Sequence, residues 1–222
     1  MHNNFRISAG ESPYLTMNTV VFDFDGTLTT SDTTKYLIVH LMRGSPMRCF
    51  GVLLRAIRYR HSVQEGKVTV IGTLIKNRKA SSIYRNLKPF VRSVRRRMRQ
   101  SAVDILNRHL GSGDYVIIAT ASPGFAVEPI FYDPRVHVVA TGFSQRNGMF
   151  TGELETPVCY GNQKAEMVRQ HLEAAGLRSL DAAYSDHLSD GPLLAMAKEA
   201  VLVAPDKATV QGLQNLRPRI IE

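Results

Sequence analysis

The feature that most constrains this chain is the run Val20-Val21-Phe22-Asp23-Phe24-Asp25-Gly26-Thr27-Leu28-Thr29. A short apolar, β-branched stretch reads as one buried strand, and it ends in two carboxylates. Side chains alternate along a strand, so Asp23 and Asp25 would share a face if the strand went on. Gly26 and Thr27 break the run, which puts both acids at or just past the strand's C-terminal end. In an open parallel α/β sheet that edge is where ligands bind. A carboxylate there can attack an electrophile, and a second can move a proton.

The rest of the chain supplies such a sheet. From residue 114 onward strand and helix patterns alternate, which predicts parallel strands. Strands are expected at Tyr115–Thr120, Val136–Thr141, Ala182–Ser185 and Ala200–Val203. Helices are expected at Phe125–Phe131, Gln163–Ala175 (stopped by Gly176) and Pro192–Lys198, with one short helix after Pro205. Phe143–Leu154, with Asn147-Gly148 at its centre, predicts a β-hairpin. Between the first strand and this region, residues 33–110 read as mostly helical. Expected helices are Thr34–Arg43, Cys49–Arg60 and one long helix over Phe90–Leu110, while Val68–Ile75 fits either helix or strand.

Charge divides the chain in the same places. Residues 32–110 hold 18 Lys and Arg against Asp32, Glu65 and Asp104, a net of +15, whereas the remainder nets −6, for a total of +9. A basic part suits anionic partners such as phosphate esters or acidic lipid surfaces, and equally a solvated arginine-rich surface. No aromatic platform interleaves with the arginine runs, which argues against nucleic acid. No apolar run reaches the ~18 residues of a membrane-spanning helix. The N-terminus lacks the apolar core of a secretory signal. Cys49 and Cys159 make no disulfide framework. These features predict a reduced, cytoplasmic setting, with peripheral contact at the inner membrane face as the furthest reach toward lipid. A G-x-x-x-x-G-K-[ST] loop, a G-x-S-x-G elbow and paired C-x-x-C are all absent from the sequence.

Three further constellations follow in order. In Val116-Ile117-Ile118-Ala119-Thr120-Ala121-Ser122-Pro123 a hydroxyl residue ends a buried strand before a helix, where free N–H groups can meet an anion. Ser122 there is either a substrate contact or a cap. Lys164 opens a helix, a position mildly unfavourable to the helix dipole, so another benefit is expected. In Tyr184-Ser185-Asp186-His187-Leu188-Ser189-Asp190-Gly191 two acids follow a short strand and precede a helix.

The run DFDGTLT, followed by these three, resembles the haloacid dehalogenase-like (HAD) phosphohydrolases over roughly residues 19–205. The resemblance implies a Rossmann-like α/β fold, a doubly wound parallel sheet with a helical type 1 cap inserted after the first strand. The parts would be an N-terminal extension (1–18), a core (19–31 and 111–222) and a basic cap (32–110). It further implies Asp23 as the nucleophile that takes the phosphoryl group, Asp25 as general acid/base, and Lys164 as the cation neutralising both phosphate and nucleophile. Gly26, Thr27, Thr120 and the Ala121 amide would meet phosphate oxygens, and Ser189 would either do so or cap the helix that follows. Mg2+ would be held by Asp23, the Asp25 carbonyl and Asp186, with Asp190 supporting through water or by orienting Lys164. The position of the insert is similar to the phosphoserine phosphatase-like branch, subfamily IB, in which an acid at Asp32 lies near the substrate, though Asp32 equally reads as the cap of a helix starting near Thr33. The stretches ATASPGFAVEPIFYD, CYGNQKAEMV and YSDHLSDGPLL carry a closer resemblance to phosphatidylglycerophosphatase C-like proteins. The chain departs from those proteins in having no long hydrophobic segment in the cap, and from the family in carrying Ser185 and His187 around Asp186. The implied reaction is hydrolysis of a small or lipid-linked phosphomonoester, with phosphotransfer to an alcohol as an alternative.

Overall fold

A computed structural model of the protein describes residues 17–43 and 63–222. Most of the expected N-terminal extension and the expected helix Cys49–Arg60 lie outside the described residues. The strands are β1 (Thr19–Asp23), β2 (Tyr115–Pro123), β3 (Val136–Thr141), β4 (Phe143–Arg146), β5 (Met149–Leu154), β6 (Leu180–Ser185), β7 (Ala197–Val203) and β8 (Arg219–Ile221). The described helices are α1 (Thr33–Met42), α2 (Val63–Ile75), α3 (Ala80–Asn86), α4 (Lys88–Arg95), α5 (Gln100–Ser112), α6 (Gly124–Val127), α7 (Asn162–Ala174), α8 (Gly191–Met196) and α9 (Lys207–Gly212).

Six strands form one parallel sheet in the order β3-β2-β1-β6-β7-β8. With the β4–β5 hairpin set aside, this is the order of a doubly wound sheet, and the winding reverses between β1 and β6. The site is therefore expected in the crevice beyond the C-terminal ends of those two neighbours. All five residues of β1 are buried, because helices cover both faces. Val20 and Phe22 point into one apolar layer with Leu106 and Leu110 of α5 and, further out, Leu37, Ile71, Leu74 and Phe90 of the insert. Val21 points into the other, with Val168 and Leu172 of α7 and Leu193 and Leu194 of α8. Asp23 shares the parity of Val21 and so ends on the face covered by α7, the helix that carries Lys164.

Several elements differ from expectation. The long helix over Phe90–Leu110 is two helices, broken between Arg95 and Gln100. Tertiary hydrogen bonds outweigh helical continuity there. Arg99 N–H donates to the Leu28 carbonyl (2.8 Å), Thr30 N–H donates to the Arg97 carbonyl (2.9 Å), and Thr29 bridges to Met98. The chain entering the helical insert is thus stitched to the chain leaving it. Val68–Ile75 is helical despite its β-branched residues, because its buried face packs into the core. Gly72 permits a close approach to the hairpin: a Cβ there would lie 2.3 Å from the Gly152 carbonyl oxygen. β7 begins at Ala197, where a helix was expected to run on to Lys198. β8, three residues at the sheet edge after Pro218, was not anticipated, being too short to show a period.

Candidate active site

Three chain segments meet beyond β1 and β6. The first is the tight loop Phe24–Leu28, in which Gly26 has φ +95°. A Cβ on Gly26 would lie 2.1 Å from Asp186 Oδ2, so only glycine lets the β1 loop and the β6 loop approach this closely. Gly26→Ala is expected to displace the Asp186 carboxylate and lower turnover by about 10²-fold or more, as misplacement by an ångström does elsewhere. Steady-state kinetics on the folded variant checks this. Arg99 holds the same loop from the other side. Its Nη2 donates to the Gly26 carbonyl (3.0 Å) and its Nε to the Thr27 carbonyl (3.2 Å).

The second segment is α7. Lys164 is 3% exposed and lies 2.7 Å from Asp23 Oδ1 and 2.8 Å from Asp190 Oδ1. The Ser185 hydroxyl donates to Asp190 Oδ2 (2.7 Å). Asp190 thus lies against Lys164, the placement that orienting this lysine calls for. Burial pushes the Lys164 pKa down, but Asp23 and Asp190 push it up by more, and the net direction is upward. Burial raises the Asp23 carboxyl, Lys164 pulls it back down, and the negative neighbours Asp190 and Asp186 add to the rise. The outcome is about 8. One ammonium serves two buried carboxylates, Asp23 and Asp190.

The third segment follows β6. The Asp186 N–H donates to the Thr27 hydroxyl oxygen (3.0 Å), and that hydroxyl lies 2.9 Å from Asp186 Oδ1 and 3.0 Å from Asp23 Oδ2. Its single proton reaches one of these carboxylates at a time. Burial raises Asp186 as well. Thr27, expected as a phosphate contact, hydrogen-bonds between two acids. His187, whose role the sequence left open, caps the turn Leu188–Asp190 by accepting the Ser189 N–H at Nδ1 (3.1 Å). Ser189 keeps its hydroxyl 2.8 Å from the same nitrogen.

Asp25 lies past the strand and has both oxygens engaged. Thr33 N–H donates to Oδ1 (2.6 Å) and the Ser122 hydroxyl to Oδ2 (2.6 Å), while the Thr34 hydroxyl sits 2.8 Å behind Ser122. Burial raises its pKa, against the pull of those hydrogen bonds. Ser122 was a candidate substrate contact or helix cap. A register shift in the β2–β3 pairing after Thr120 accompanies the turn of its hydroxyl onto Asp25. Asp32 caps α1 through the Thr34 N–H (3.1 Å) and also pairs with Lys67 of α2 (2.7 Å).

These groups line one cleft of about 190 Å3 that contains Asp23, Asp25, Thr120, Ala121, Lys164, Asp186, Ser189 and Asp190. Gln64, Lys67, Tyr160 and His187 complete its wall. Among the described residues no three His, Cys, Asp or Glu side chains converge as a ready metal cage. Two carboxylates lining the cleft, Asp23 and Asp186, could serve as donors, while the Asp25 side chain is held by Thr33 and Ser122 and that of Asp190 by Lys164 and Ser185. Two carboxylates in a negatively overcharged pocket, with room for water and substrate oxygens, fit Mg2+, which keeps several waters and seldom takes an all-protein cage.

Residues 20–195 match the family model of the haloacid dehalogenase-like hydrolases. The chain belongs to that family. Among its relatives, a probable phosphatase of Mycobacterium tuberculosis H37Rv is 32% identical over 118 residues, a match covering 50% of this chain and 41% of that protein. The match therefore spans less than half the length of the mycobacterial relative. A Bordetella pertussis Tohama I protein of unknown function superposes with a TM-score of 0.80 at 24% identity, covering 93% of this chain and 99% of that one. A phospho-aspartyl intermediate analogue of phosphoserine phosphatase superposes with a TM-score of 0.59 at 17% identity, covering 92% of both chains. At those identities the likeness is one of fold, and this HAD chain shares the Rossmann-like sheet and flanking helices of both.

Sequence motifs named the acids, Lys164 and Thr120. They missed Arg99, Lys67 and Gln64, which reach the site from the insert. Arg99 closes an arginine run and carries no local mark. Its partners lie 72 and 73 residues away.

Proposed function

We propose that the protein is a Mg2+-dependent phosphomonoester hydrolase that works through an aspartyl-phosphate on Asp23. In this reading residues 32–110 serve as the cap over a core of 19–31 and 111–222. The observation that carries the reading is the buried Asp23–Lys164–Asp190 cluster at the sheet's switch point, open to a small polar cleft with Asp186 and Asp25 beside it.

Asp23 attacks phosphorus in line through a carboxylate oxygen, and the bond to the leaving oxygen breaks. Asp25, whose raised pKa lets it hold a proton, gives that proton to the leaving alkoxide. Asp25 then takes a proton from water as the water attacks the aspartyl-phosphate, which releases phosphate and restores Asp23. Lys164, the Thr120 hydroxyl and the Ala121 amide bind phosphoryl oxygens, and Lys164 offsets the charge that gathers there. Mg2+ bound by Asp23, Asp186 and the Asp25 carbonyl would lower the repulsion between carboxylate and phosphate dianion. Thr34 and Ser122 hold Asp25 in place.

On the side facing the insert the cleft presents Asp32 paired with Lys67, one acid and one base. That polarity suits a small leaving group carrying both charges, as in a phosphoserine-type ester, better than an apolar one. A lipid-linked ester such as phosphatidylglycerophosphate has only the resemblance in its favour. Among the described residues no helix is long and apolar enough to cross a membrane.

The test is phosphate release from a panel of soluble phosphomonoesters and phosphatidylglycerophosphate vesicles, with Mg2+ and with chelator. Release that needs Mg2+ and favours soluble zwitterionic esters is expected. Undiminished release in chelator contradicts the metal assignment, and preference for the vesicles replaces the soluble ester with the lipid. Adding an acceptor alcohol shows whether the phosphoryl group passes to it instead of to water.

A further inference from the structure

A second cleft, of about 430 Å3, lies where helices α3 and α4 of the insert meet the segment after α6, and it shares no residue with the catalytic one. Helices α3 and α4 are joined through Leu87, whose own backbone is α-helical, so the helical phase runs on between them. Tyr84, Lys88, Arg92 and Arg95 therefore fall at i, i+4, i+8 and i+11, one continuous stripe. All four are exposed. Leu87 and Val91 floor the groove, and Pro129 and Tyr132, which follow α6, form its far wall.

Tyr132 is 77% exposed, and one face of its ring is covered by the Arg95 guanidinium at 4.2 Å. A hydrogen bond from Arg95 Nη2 to the Ile130 carbonyl (2.6 Å) fixes that arrangement. Lys88 and Arg92 pair with no carboxylate among the described residues. Of the nearby acids, Asp133 is engaged by Arg135, and Glu128 acts on Tyr84 only through its charge. The residues outside the description hold one acid, Glu11.

An aliphatic floor, a tyrosine rim and unneutralised cations together match an amphiphilic anion. We infer that this groove docks the protein on an anionic phospholipid surface, with Lys88 and Arg92 on headgroup phosphates and Tyr132 at the water–lipid boundary. Tyrosine at that depth and basic residues just outside it are how proteins meet such membranes. Single-stranded nucleic acid fits less well, because it binds by stacking bases on free aromatic faces, and Arg95 occupies one face of Tyr132. The inference does not depend on the proposed reaction, since it concerns binding at a different surface.

The experiment is co-sedimentation of the full chain with vesicles of phosphatidylcholine alone or with equimolar phosphatidylglycerol, without substrate. Binding to the anionic vesicles alone is expected, weakening with salt. Lys88→Glu/Arg92→Glu is expected to lower the partition coefficient at least about tenfold. Arg178→Glu/Lys207→Glu makes the same change in net charge on exposed residues away from the groove and is expected to stay within about twofold. Circular dichroism confirms that both variants fold, and Tyr132→Ser, which leaves the charge intact, is expected to weaken binding as well. No binding to either vesicle overturns the inference. So does equal loss in the two charge-reversed variants, or tighter binding of a single-stranded oligonucleotide that the groove variant abolishes.

Discussion

Asp23→Asn is expected to abolish turnover, by about 10⁴-fold or more, while making the metal-free protein more stable at neutral and alkaline pH. Both effects come from the same burial. In the fold the Asp23 carboxyl is raised from 3.8 to about 8, chiefly by desolvation, with Asp190 and Asp186 adding to the rise against Lys164. A carboxyl with a raised pKa binds more protons folded than unfolded, so stability falls as pH rises. The loss starts near the unfolded value of 3.8 and levels off near 8. Asparagine removes this contribution and keeps the shape. The difference in thermal midpoint between variant and wild type should therefore be small near pH 4 and grow to a plateau near pH 8. With Mg2+ present the order should reverse, because the wild type alone has the full donor set. Thermal melts across this pH range, with chelator and with Mg2+, check both signs. A variant less stable than wild type throughout would mean that Asp23 is held chiefly by its ion pair with Lys164.

Lys164→Met is expected to cost both stability and turnover. The ammonium is the cation for two carboxylates that are 8% and 2% exposed in their side chains. Removing one partner of a buried ion pair leaves an uncompensated charge, typically ~3–5 kcal/mol, or roughly 10 °C in thermal midpoint for a chain of this size. Turnover should fall by about 10³-fold or more, since the same cation would stabilise the transferring phosphoryl group. Adding Asp190→Asn separates the two effects. The double variant should recover much of the stability, because the orphaned acid is gone, and none of the activity. Recovery of turnover in the double variant would show that Lys164 serves only to neutralise Asp190.

These acids and this lysine were legible in the sequence because each sits where one strand or helix begins or ends. An apolar run ending in Asp-x-Asp-Gly fixes a strand and its C-terminal edge. The alternation after residue 114 fixes the parallel sheet, and Asn147-Gly148 fixes the hairpin turn, where both residues have positive φ. What stayed hidden depends on contacts between distant segments. The break at Arg96–Arg99 is driven by hydrogen bonds to Leu28 and Thr30, so no propensity within Phe90–Leu110 reveals it. Lys67 reaches Asp32 from a helix whose own sequence left helix and strand undecided. Ser122 looks like a cap until the β2 register shift turns it onto Asp25. Nothing local to Thr27 reveals that Asp186, 159 residues away, shares its hydroxyl.

The central claim is that Asp23 carries the phosphoryl group. The most direct measurement is to acid-quench the enzyme during turnover of its best substrate in Mg2+ and map the phosphorylated peptide by mass spectrometry. The account predicts one phosphoryl group on the peptide containing Asp23, discharged by neutral hydroxylamine and absent from Asp23→Asn. Rapid turnover with no phosphoryl group on Asp23, or equal labelling of the Asn variant, would contradict it.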